Sequence, residues 1–218
     1  MPSCCTSRST EGTDKFFTKR SRKYLDRFRS KGLAREQRYL LEGITAAGDG
    51  SRSVLDIGCG VGGVHLTLLR QGAGKAVGID ISAGMIQFAG QLSKDLGLAD
   101  RTSYVHGDFV EMADTVPRCD IVVLDKVVCC YENLDALLKK SLAKTGSVYA
   151  LSFPRSHIFV RLIARSAMTL GKLFRWSFSP YWHDWERMAG IIRAGGFEEY
   201  YRKTTVLWTV CAFRRTGA

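Results

Sequence analysis

The chain has 218 residues, of which 45% are hydrophobic and 24% are charged, and its formal net charge is +11 at pH 7. This length predicts one domain with a sizeable core, and the lack of any run of about 18 apolar residues excludes a membrane-spanning helix. Seven cysteines and no secretory apolar segment after Met1 argue against a disulfide framework, so we expect a cytoplasmic protein.

Positive charge is concentrated near the start of the chain. Between Lys15 and Arg38 there are ten Lys or Arg residues and two acids, and apolar residues recur among them at helical spacing. This pattern predicts one or two basic amphipathic helices. Such a surface fits contact with acidic lipids or, less well, with nucleic acid, because no nucleic-acid recognition motif accompanies the charge.

Residues 54–63, Val-Leu-Asp-Ile-Gly-Cys-Gly-Val-Gly-Gly, form the most informative string in the chain. A short apolar strand is followed by glycines at alternate positions, and a helical apolar pattern begins at Val64. This arrangement is typical of nucleotide-binding units, where absent Cβ atoms let a ligand lie against the backbone. The spacing also fits a dinucleotide site. Asp56, however, would repel a pyrophosphate and suits the amino group of S-adenosyl-L-methionine (SAM), which has no phosphate.

The second predicted strand covers residues 75–80 and ends in an acid. At that strand end Asp80 is positioned to accept hydrogen bonds from ribose hydroxyls. Ser82 then serves as the N-cap of a helix that continues to about Leu96. Asp80 itself could instead have a purely structural role as a cap, so both interpretations stay open.

The third and fourth predicted strands cover residues 102–106 and 119–125. Gly107-Asp108-Phe109 closes the third strand, and Asp108 could simply cap the segment after it. Strands alternate with helical stretches from residue 52 to about 152, which predicts a mostly parallel sheet covered on both faces. Right-handed crossovers place the strand ends along one edge of that sheet.

The C-terminal part predicts an insertion and a closing hairpin. The insertion, about residues 155–185, carries apolar residues at helical spacing beside cations, which fits a cap helix, a helix on a membrane surface or packing on the sheet. From Thr204 to Phe213, apolar residues including Val206 alternate as in a half-buried strand. The predicted fold is α/β, a Rossmann-like, doubly wound, mostly parallel seven-stranded sheet with a C-terminal antiparallel hairpin.

The glycine string resembles motif I of the class I SAM-dependent methyltransferases, Asp-x-Gly-x-Gly-x-Gly, matched in full at Asp56, Gly58, Gly60 and Gly62. Nearly the whole chain is similar to a bacterial methyltransferase group often compared with magnesium-protoporphyrin O-methyltransferase. The similarity is carried by residues 29–32, 125–131 and 153–155. It implies SAM as the cofactor, residues 1–48 as a basic helical lid, and residues 49–218 as the methyltransferase domain with its cap insertion.

The resemblance also implies roles for residues at the strand ends. Asp56 would contact the methionine end of SAM, directly or through water, and the glycines would make room for methionine and ribose. Asp108 would lie near the adenine amino group, with Phe109 packed on the ring. The full set of expected cofactor contacts is Asp56, Gly58, Cys59, Gly60, Gly62, Asp80, Ile81, Gly107, Asp108, Phe109, Asp125 and Lys126.

Catalysis requires orientation of the activated methyl group and, for an alcohol or carboxylic acid acceptor, a base. The candidate catalytic residues are His183, Tyr24, Cys130 and His157. His183 is preferred because its aromatic neighbours imply a walled site, although a solvent-facing or helix-capping role also fits. No metal site is expected, because the vicinal cysteine pairs 4–5 and 129–130 lack the spacing of zinc ligands.

Three functions remain open at this point. The first is methylation of a small molecule, either a small thiol or sulfide or a tetrapyrrole carboxylate, which Arg155 and Lys126 could bind. The porphyrin enzyme has a histidine before the tyrosine after its fourth strand, whereas this chain has Cys130, which suits a soft acceptor. The second function is RNA or protein methylation through the basic N-terminal arm, and the third is SAM binding without catalysis.

Overall fold

The computed structural model describes residues 8–48, 52–155 and 181–217, which contain a seven-stranded sheet. Its strands are β1 (Ser53–Ile57), β2 (Lys75–Asp80), β3 (Thr102–His106), β4 (Cys119–Asp125), β5 (Thr145–Pro154), β6 (Phe197–Thr204) and β7 (Trp208–Arg215). In space they are ordered β3-β2-β1-β4-β5-β7-β6. Neighbours among β1 to β5 are parallel, whereas β7 runs antiparallel to both β5 and β6. The predicted fold class is confirmed.

Helices cover both faces of this sheet. They are α1 (Arg8–Thr18), α2 (Ser21–Lys31), α3 (Arg35–Thr45), α4 (Gly63–Arg70), α5 (Ala83–Asp95), α6 (Phe109–Met112), α7 (Leu134–Ala143) and α8 (Trp185–Ala194). Short 3-10 helices occupy Ala99–Arg101, Ala113–Thr115 and Val128–Cys130. Among the described residues, no helix is long and apolar enough to cross a bilayer.

Two hydrophobic cores lie on opposite sides of the sheet. One packs α6, α7 and α8 against it, and the other packs α2 to α5. In β4, Val122 and Leu124 contribute to the first core, while Ile121 and Val123 contribute to the second. Because successive side chains point to opposite faces, a strand buried on both sides reads as an unbroken apolar run.

β7 differs from the half-buried strand that its alternating sequence predicted. Val210 and Ala212 pack in one core, whereas Cys211 and Phe213 pack in the other. Val206 lies before the strand and is 80% exposed. The assignment of Val206 to the strand is therefore wrong. Alternation misleads here because β7 lies between β5 and β6 and is covered on both faces.

The N-terminal segment forms three helices, where one or two were predicted. α1 and α2 pack against α5, and α3 lies on β5 and β7. The Tyr200 hydroxyl in β6 donates to the Gly43 carbonyl in α3 at 2.6 Å. The Thr18 and Ser82 hydroxyls lie 2.9 Å apart, which joins α1 to the start of α5. These helices thus contact the sheet and the loops above it, while the boundary at residue 48 stays a prediction.

Candidate active site

A cavity of about 1330 Å³ lies above the carboxyl ends of the parallel strands. Residues that follow β1, β2, β3 and β4 line it, together with side chains from α1, α2 and the segment before α8. Single ligand pockets usually measure about 300–1,000 Å³. The cavity is therefore large enough for a cofactor and a second molecule beside it.

Most of the expected cofactor residues meet in this cavity. All of them line it except Gly62. Gly62 has φ +88° and is the N-cap of α4, where a Cβ would lie 3.0 Å from the His65 ring. This glycine lets α4 begin close to a buried side chain, and its contact with the cofactor stays a prediction.

The turn after β1 depends on glycine at two further positions. Gly58 has φ +66°, and a Cβ there would come within 2.5 Å of Val127 Cγ2. Gly60 has φ +56°, and a Cβ there would meet no protein atom within 4 Å. Because Gly60 also lines the cavity, the open space beside its Cα is space that a ligand can occupy.

Asp56 sits beneath this turn at the end of β1 and is 1% exposed. Its Oδ2 lies 2.8 Å from Nδ1 of His65, whereas Oδ1 has no hydrogen-bond partner within the described part of the chain. Burial raises the pKa of this carboxyl, and the hydrogen bond from His65 opposes that shift. An unpartnered buried carboxylate oxygen that lines a cavity is suited to a cationic ligand.

Asp80 ties the glycine turn to the end of β2. Its Oδ2 accepts the Gly60 N–H and its Oδ1 accepts the Ser82 N–H, both at 2.8 Å. Burial raises the pKa of Asp80 to about 6, although both N–H donors favour its charged form. Each carboxylate oxygen can accept a second hydrogen bond, so the structural and ligand-binding roles are compatible. The Ser82 hydroxyl accepts the Met85 N–H at 3.2 Å, which confirms the predicted N-cap.

Asp108 has the capping role that the sequence left open. Its Oδ1 accepts the Val110 N–H at 2.8 Å at the start of α6. The Tyr131 hydroxyl also donates to Asp108, at 2.9 Å to Oδ1 and 3.0 Å to Oδ2. The adjacent Phe109 is buried and lines the cavity. Sequence reasoning assigned no role to Tyr131, because its contact joins two segments that are distant in the chain.

The end of β4 is held by the first turn of α3. Asp125 accepts the Ser152 hydroxyl at 2.6 Å and the Gln37 side-chain amide at 2.9 Å. Lys126 Nζ lies 2.6 Å from Glu36 Oε1. Lys126 also has φ +63°, a strained conformation for a residue with a side chain. Gln37 and Glu36 were not predicted, because nothing local in the sequence indicates a contact with β4.

His183 lines the cavity, and its tautomer follows from one contact. Nε2 lies 2.8 Å from the Tyr131 carbonyl oxygen, which can only accept a hydrogen bond. In the neutral ring Nε2 therefore carries the hydrogen, and Nδ1 carries the lone pair that a base needs. The helix-capping alternative does not apply, because Asp184 caps α8 by accepting the Glu186 N–H at 2.8 Å.

The other catalytic candidates have weaker positions. Cys130 lines the cavity, but contact with Cys129 and burial raise the pKa of its thiol well above its usual value. A thiol that keeps its proton cannot accept one from an acceptor molecule. Tyr24 lines the cavity and is 43% exposed, whereas His157 lies outside the described residues. Arg155, expected to bind an acceptor carboxylate, does not line the cavity.

Negative charge dominates the described lining of the cavity. Its acids are Asp56, Asp80, Asp108, Glu111, Asp125, Glu132, Asp135 and Asp184, and its described bases other than histidine are Arg27, Lys126 and Arg187. Two of these bases are paired, Lys126 with Glu36 at 2.6 Å and Arg187 with Asp135 at 2.7 Å. The described residues contain no group of three or more His, Cys, Asp or Glu arranged to hold a metal ion.

Comparison with known proteins identifies the central part of the chain. Residues 54–145 match the family described as "Methyltransferase domain". A sterol 24-C-methyltransferase of Eremothecium gossypii is 33% identical over 135 residues, which are 60% of this chain and 35% of that protein. An uncharacterized protein of Haemophilus influenzae is 31% identical over 106 residues, 48% of this chain and 38% of that one. The chain thus spans little more than a third of these two curated relatives.

Solved structures show the same fold over almost the whole chain. Magnesium protoporphyrin IX methyltransferase (ChlM) from Synechocystis PCC 6803, crystallised with bound SAH, has a TM-score of 0.74 at 20% identity and covers 95% of this chain and 100% of its own. A TehB-like SAM-dependent methyltransferase from Corynebacterium glutamicum has a TM-score of 0.64 at 15% identity, covering 93% and 99%. Residues 54–145 therefore match a methyltransferase domain, and the described chain shares its fold with these methyltransferase structures.

Proposed function

We propose that this chain, a class I SAM-dependent methyltransferase by its domain and its fold, binds SAM in the cavity and methylates a hydroxyl of an uncharged, largely apolar small molecule. The observation that carries the cofactor assignment is the buried Oδ1 of Asp56, which has no hydrogen-bond partner within the described residues, on a residue that lines the same cavity as Gly60. The observation that carries the acceptor assignment is the contact of His183 Nε2 with the Tyr131 carbonyl, which leaves the lone pair on Nδ1 in a side chain that lines the same cavity.

The cofactor fits the strand ends in one direction. Its ammonium group would bind Asp56 Oδ1, and its ribose hydroxyls would donate to Asp80. Its adenine would lie toward Asp108 and Phe109, where one face of the ring can pack on a buried aromatic side chain. The sulfonium then lies near the end of β4, within the part of the cavity that Lys126 and His183 also line.

SAM supplies a methyl group that is already activated, so the protein contributes orientation, exclusion of water and proton transfer. His183 Nδ1 would accept the proton of the acceptor hydroxyl as its oxygen bonds to the methyl carbon. The carbon–sulfur bond breaks in the same step and leaves SAH. General-base assistance of this kind contributes roughly 10²- to 10⁴-fold in rate. Tyr131 holds the ring of His183 through its carbonyl and contacts Asp108 through its hydroxyl.

The walls of the cavity favour an apolar, uncharged acceptor. Aromatic side chains line it from several elements, namely Phe16, Phe17, Phe28, Tyr131, Trp182 and Trp208. The excess of acids among the described lining residues disfavours a polyanion such as RNA or a tetrapyrrole with free carboxylates. The Eremothecium relative is named for a sterol, which is also an apolar molecule. Nothing described favours a thiol acceptor, because Cys129 and Cys130 both donate to the Lys126 carbonyl.

The test is a methyl-transfer assay with label in the methyl group of SAM. The acceptor panel contains apolar phenols and alcohols, sulfide and small thiols, porphyrin carboxylates and total RNA. We expect label in the hydroxyl fraction with the wild-type chain, and none with Asp56→Asn. Label that appears only in thiols, porphyrins or RNA would overturn the acceptor assignment. Failure of the wild-type chain to bind SAM would overturn the function itself.

We also propose that the basic face of α1 and α2 contacts an acidic membrane surface, from which an apolar acceptor would enter the cavity. Lys19 lies between α1 and α2, Lys23 and Lys31 lie on α2, and all three are exposed. Tyr24, which follows Lys23 in α2, lines the cavity and is 43% exposed. Each lysine near an anionic bilayer contributes about 1 kcal/mol. The N-terminal helices would then serve as both lid and docking surface.

A further inference from the structure

We propose that His65 and Tyr104 are positioning residues that fix the orientation and the negative charge of Asp56, and that they thereby set the affinity for the amino-acid part of the cofactor. This inference rests on the proposed function, because it concerns the same cavity. It adds two residues that lie outside the glycine motif.

The sheet register places Asp56 and Tyr104 on either side of a glycine. Asp56 in β1 pairs with Gly78 in β2, and Gly78 pairs with Tyr104 in β3. Paired residues of neighbouring strands point to the same face of a sheet. A Cβ on Gly78 would lie 2.9 Å from the Tyr104 ring. Glycine at this position therefore lets the tyrosine ring reach across β2 toward β1.

His65 fills the gap between these two side chains. It lies in the first turn of α4 and is 0% exposed. Its Nδ1 is 2.8 Å from Asp56 Oδ2, and its Nε2 is 3.0 Å from the Tyr104 hydroxyl. Gly62 permits this close approach, since a Cβ there would lie 3.0 Å from the ring. Both nitrogens of this fully buried imidazole are thus hydrogen-bonded, and the hydrogen bonds connect Tyr104 through His65 to Asp56.

The chemistry of the three side chains determines which group donates in each of these two hydrogen bonds. Burial raises the pKa of Tyr104 to about 12, so its hydroxyl keeps its proton and can donate to Nε2. The imidazole hydrogen then resides on Nδ1, where it donates to Asp56 Oδ2. A hydrogen bond to the charged form of a carboxyl favours ionisation.

This arrangement leaves one oxygen of Asp56 for a ligand. Oδ2 is hydrogen-bonded to His65, whereas Oδ1 is buried with no partner within the described residues, and Asp56 is one of the residues that line the cavity. A binding side chain keeps its productive geometry only when neighbouring side chains and hydrogen bonds hold it in place. The predicted effect is selective, because only the ammonium-bearing part of the cofactor lies against Asp56, while the nucleoside part does not.

The experiment compares two ligands on the full chain. SAH carries the amino-acid part, and 5′-methylthioadenosine has the nucleoside without it. We expect His65→Leu to weaken SAH binding about 10- to 100-fold, as for loss of a buried hydrogen bond to a charged group, and Tyr104→Phe to weaken it about three- to tenfold. His65→Asn, whose amide nitrogen can replace Nδ1, should stay within about threefold of the wild type. Affinity for 5′-methylthioadenosine should not change in any variant.

The two ligands distinguish positioning from a structural role. If His65→Leu weakens both ligands equally, or leaves SAH binding unchanged, the inference is overturned. Tyr104→Phe is a milder change that is judged by the same comparison of SAH with 5′-methylthioadenosine. The test therefore remains even if His65→Leu does not fold. If the wild-type chain binds neither ligand, the proposed function fails. If the wild-type chain binds both ligands and the variants weaken both equally, only the positioning role fails.

Discussion

The backbone N–H of Gly60 donates to Asp80 Oδ2 at 2.8 Å, which joins the turn after β1 to the end of β2. A ligand in the cavity therefore meets these two residues as one unit. The open space beside Gly60 sets the shape of this part of the site, and the ionisation of Asp80 sets its charge.

Cofactor affinity should depend on the ionisation of Asp80. Burial raises its pKa to about 6, and ribose hydroxyls need an ionised acceptor. The free protein binds a proton below pH 6 that the complex must release, so affinity falls as pH drops through about 6. We expect SAH affinity to fall roughly five- to tenfold between pH 6 and pH 5. The Asp80→Asn variant should bind SAH weakly, and its affinity should lack the pH dependence that comes from Asp80. A wild-type affinity that stays constant from pH 7 to pH 5 would contradict the prediction.

Gly60→Ala should impair binding more than folding. The comparison variant is Gly72→Ala, because both glycines have positive φ and open space around the added Cβ. Each variant should lose about 1–2 kcal/mol of unfolding free energy, measured with urea. Only Gly60→Ala should lose SAH affinity, by at least about tenfold, since its Cβ would occupy the ligand's position. Equal affinities in the two variants would show that no ligand lies against Gly60.

His183→Gln should slow methyl transfer without weakening SAH binding. If Nδ1 of His183 is the base, kcat should fall about 10²-fold or more. Tyr181→Phe is the matched control, because it lies in the same segment and removes only a hydroxyl, 3.4 Å from Glu132. Its kcat should stay within about threefold of the wild type. A kcat within about threefold of the wild type in His183→Gln would exclude this residue as the base.

Ligand binding should protect the N-terminal helices from trypsin. The Ala83 N–H donates to Asp14 Oδ1 at 3.3 Å, three residues after Asp80, so a ligand on Asp80 stabilises the contact between α1 and α5. We expect saturating SAH to slow cleavage after Lys19 several-fold. Cleavage after Arg118, which precedes β4 at the amino ends of the parallel strands, away from the cavity, should not change. Equal protection at both sites would indicate general stabilisation and no specific role for α1 as a lid.

The basic face should bind vesicles that contain anionic lipid. Replacing Lys19, Lys23 and Lys31 with glutamine should weaken binding to phosphatidylserine vesicles by roughly 100-fold, at about 1 kcal/mol for each lysine. The matched control replaces three other exposed lysines, Lys75, Lys94 and Lys139, and has the same net charge. If both triple variants bind equally, the effect is one of total charge. Salt-sensitive binding to RNA with no vesicle binding would favour the nucleic-acid partner.

Much of the cofactor side could be predicted, because its signals are local. Asp56, Gly58 and Gly60 lie within five positions of one another, and the capping role of Ser82 needs only the start of one helix. The acceptor side could not be predicted to the same extent. Gln37 meets Asp125 across 88 positions, and nothing near either residue in the sequence indicates the other. The sequence placed His183 among aromatic residues, but only its contact with Tyr131 assigns the ring hydrogen.

The sequence by itself determined the parallel sheet, the glycine turn and the acids at the strand ends, because apolar periodicity and glycine conformation act over a few residues. The tertiary structure alone decided what each acid can do. The sheet register places Asp56, Gly78 and Tyr104 in one row, and burial then determines which oxygen is occupied and which remains for a ligand. Contacts between distant segments and the burial of charge depend on the whole fold, so no short stretch of sequence contains them.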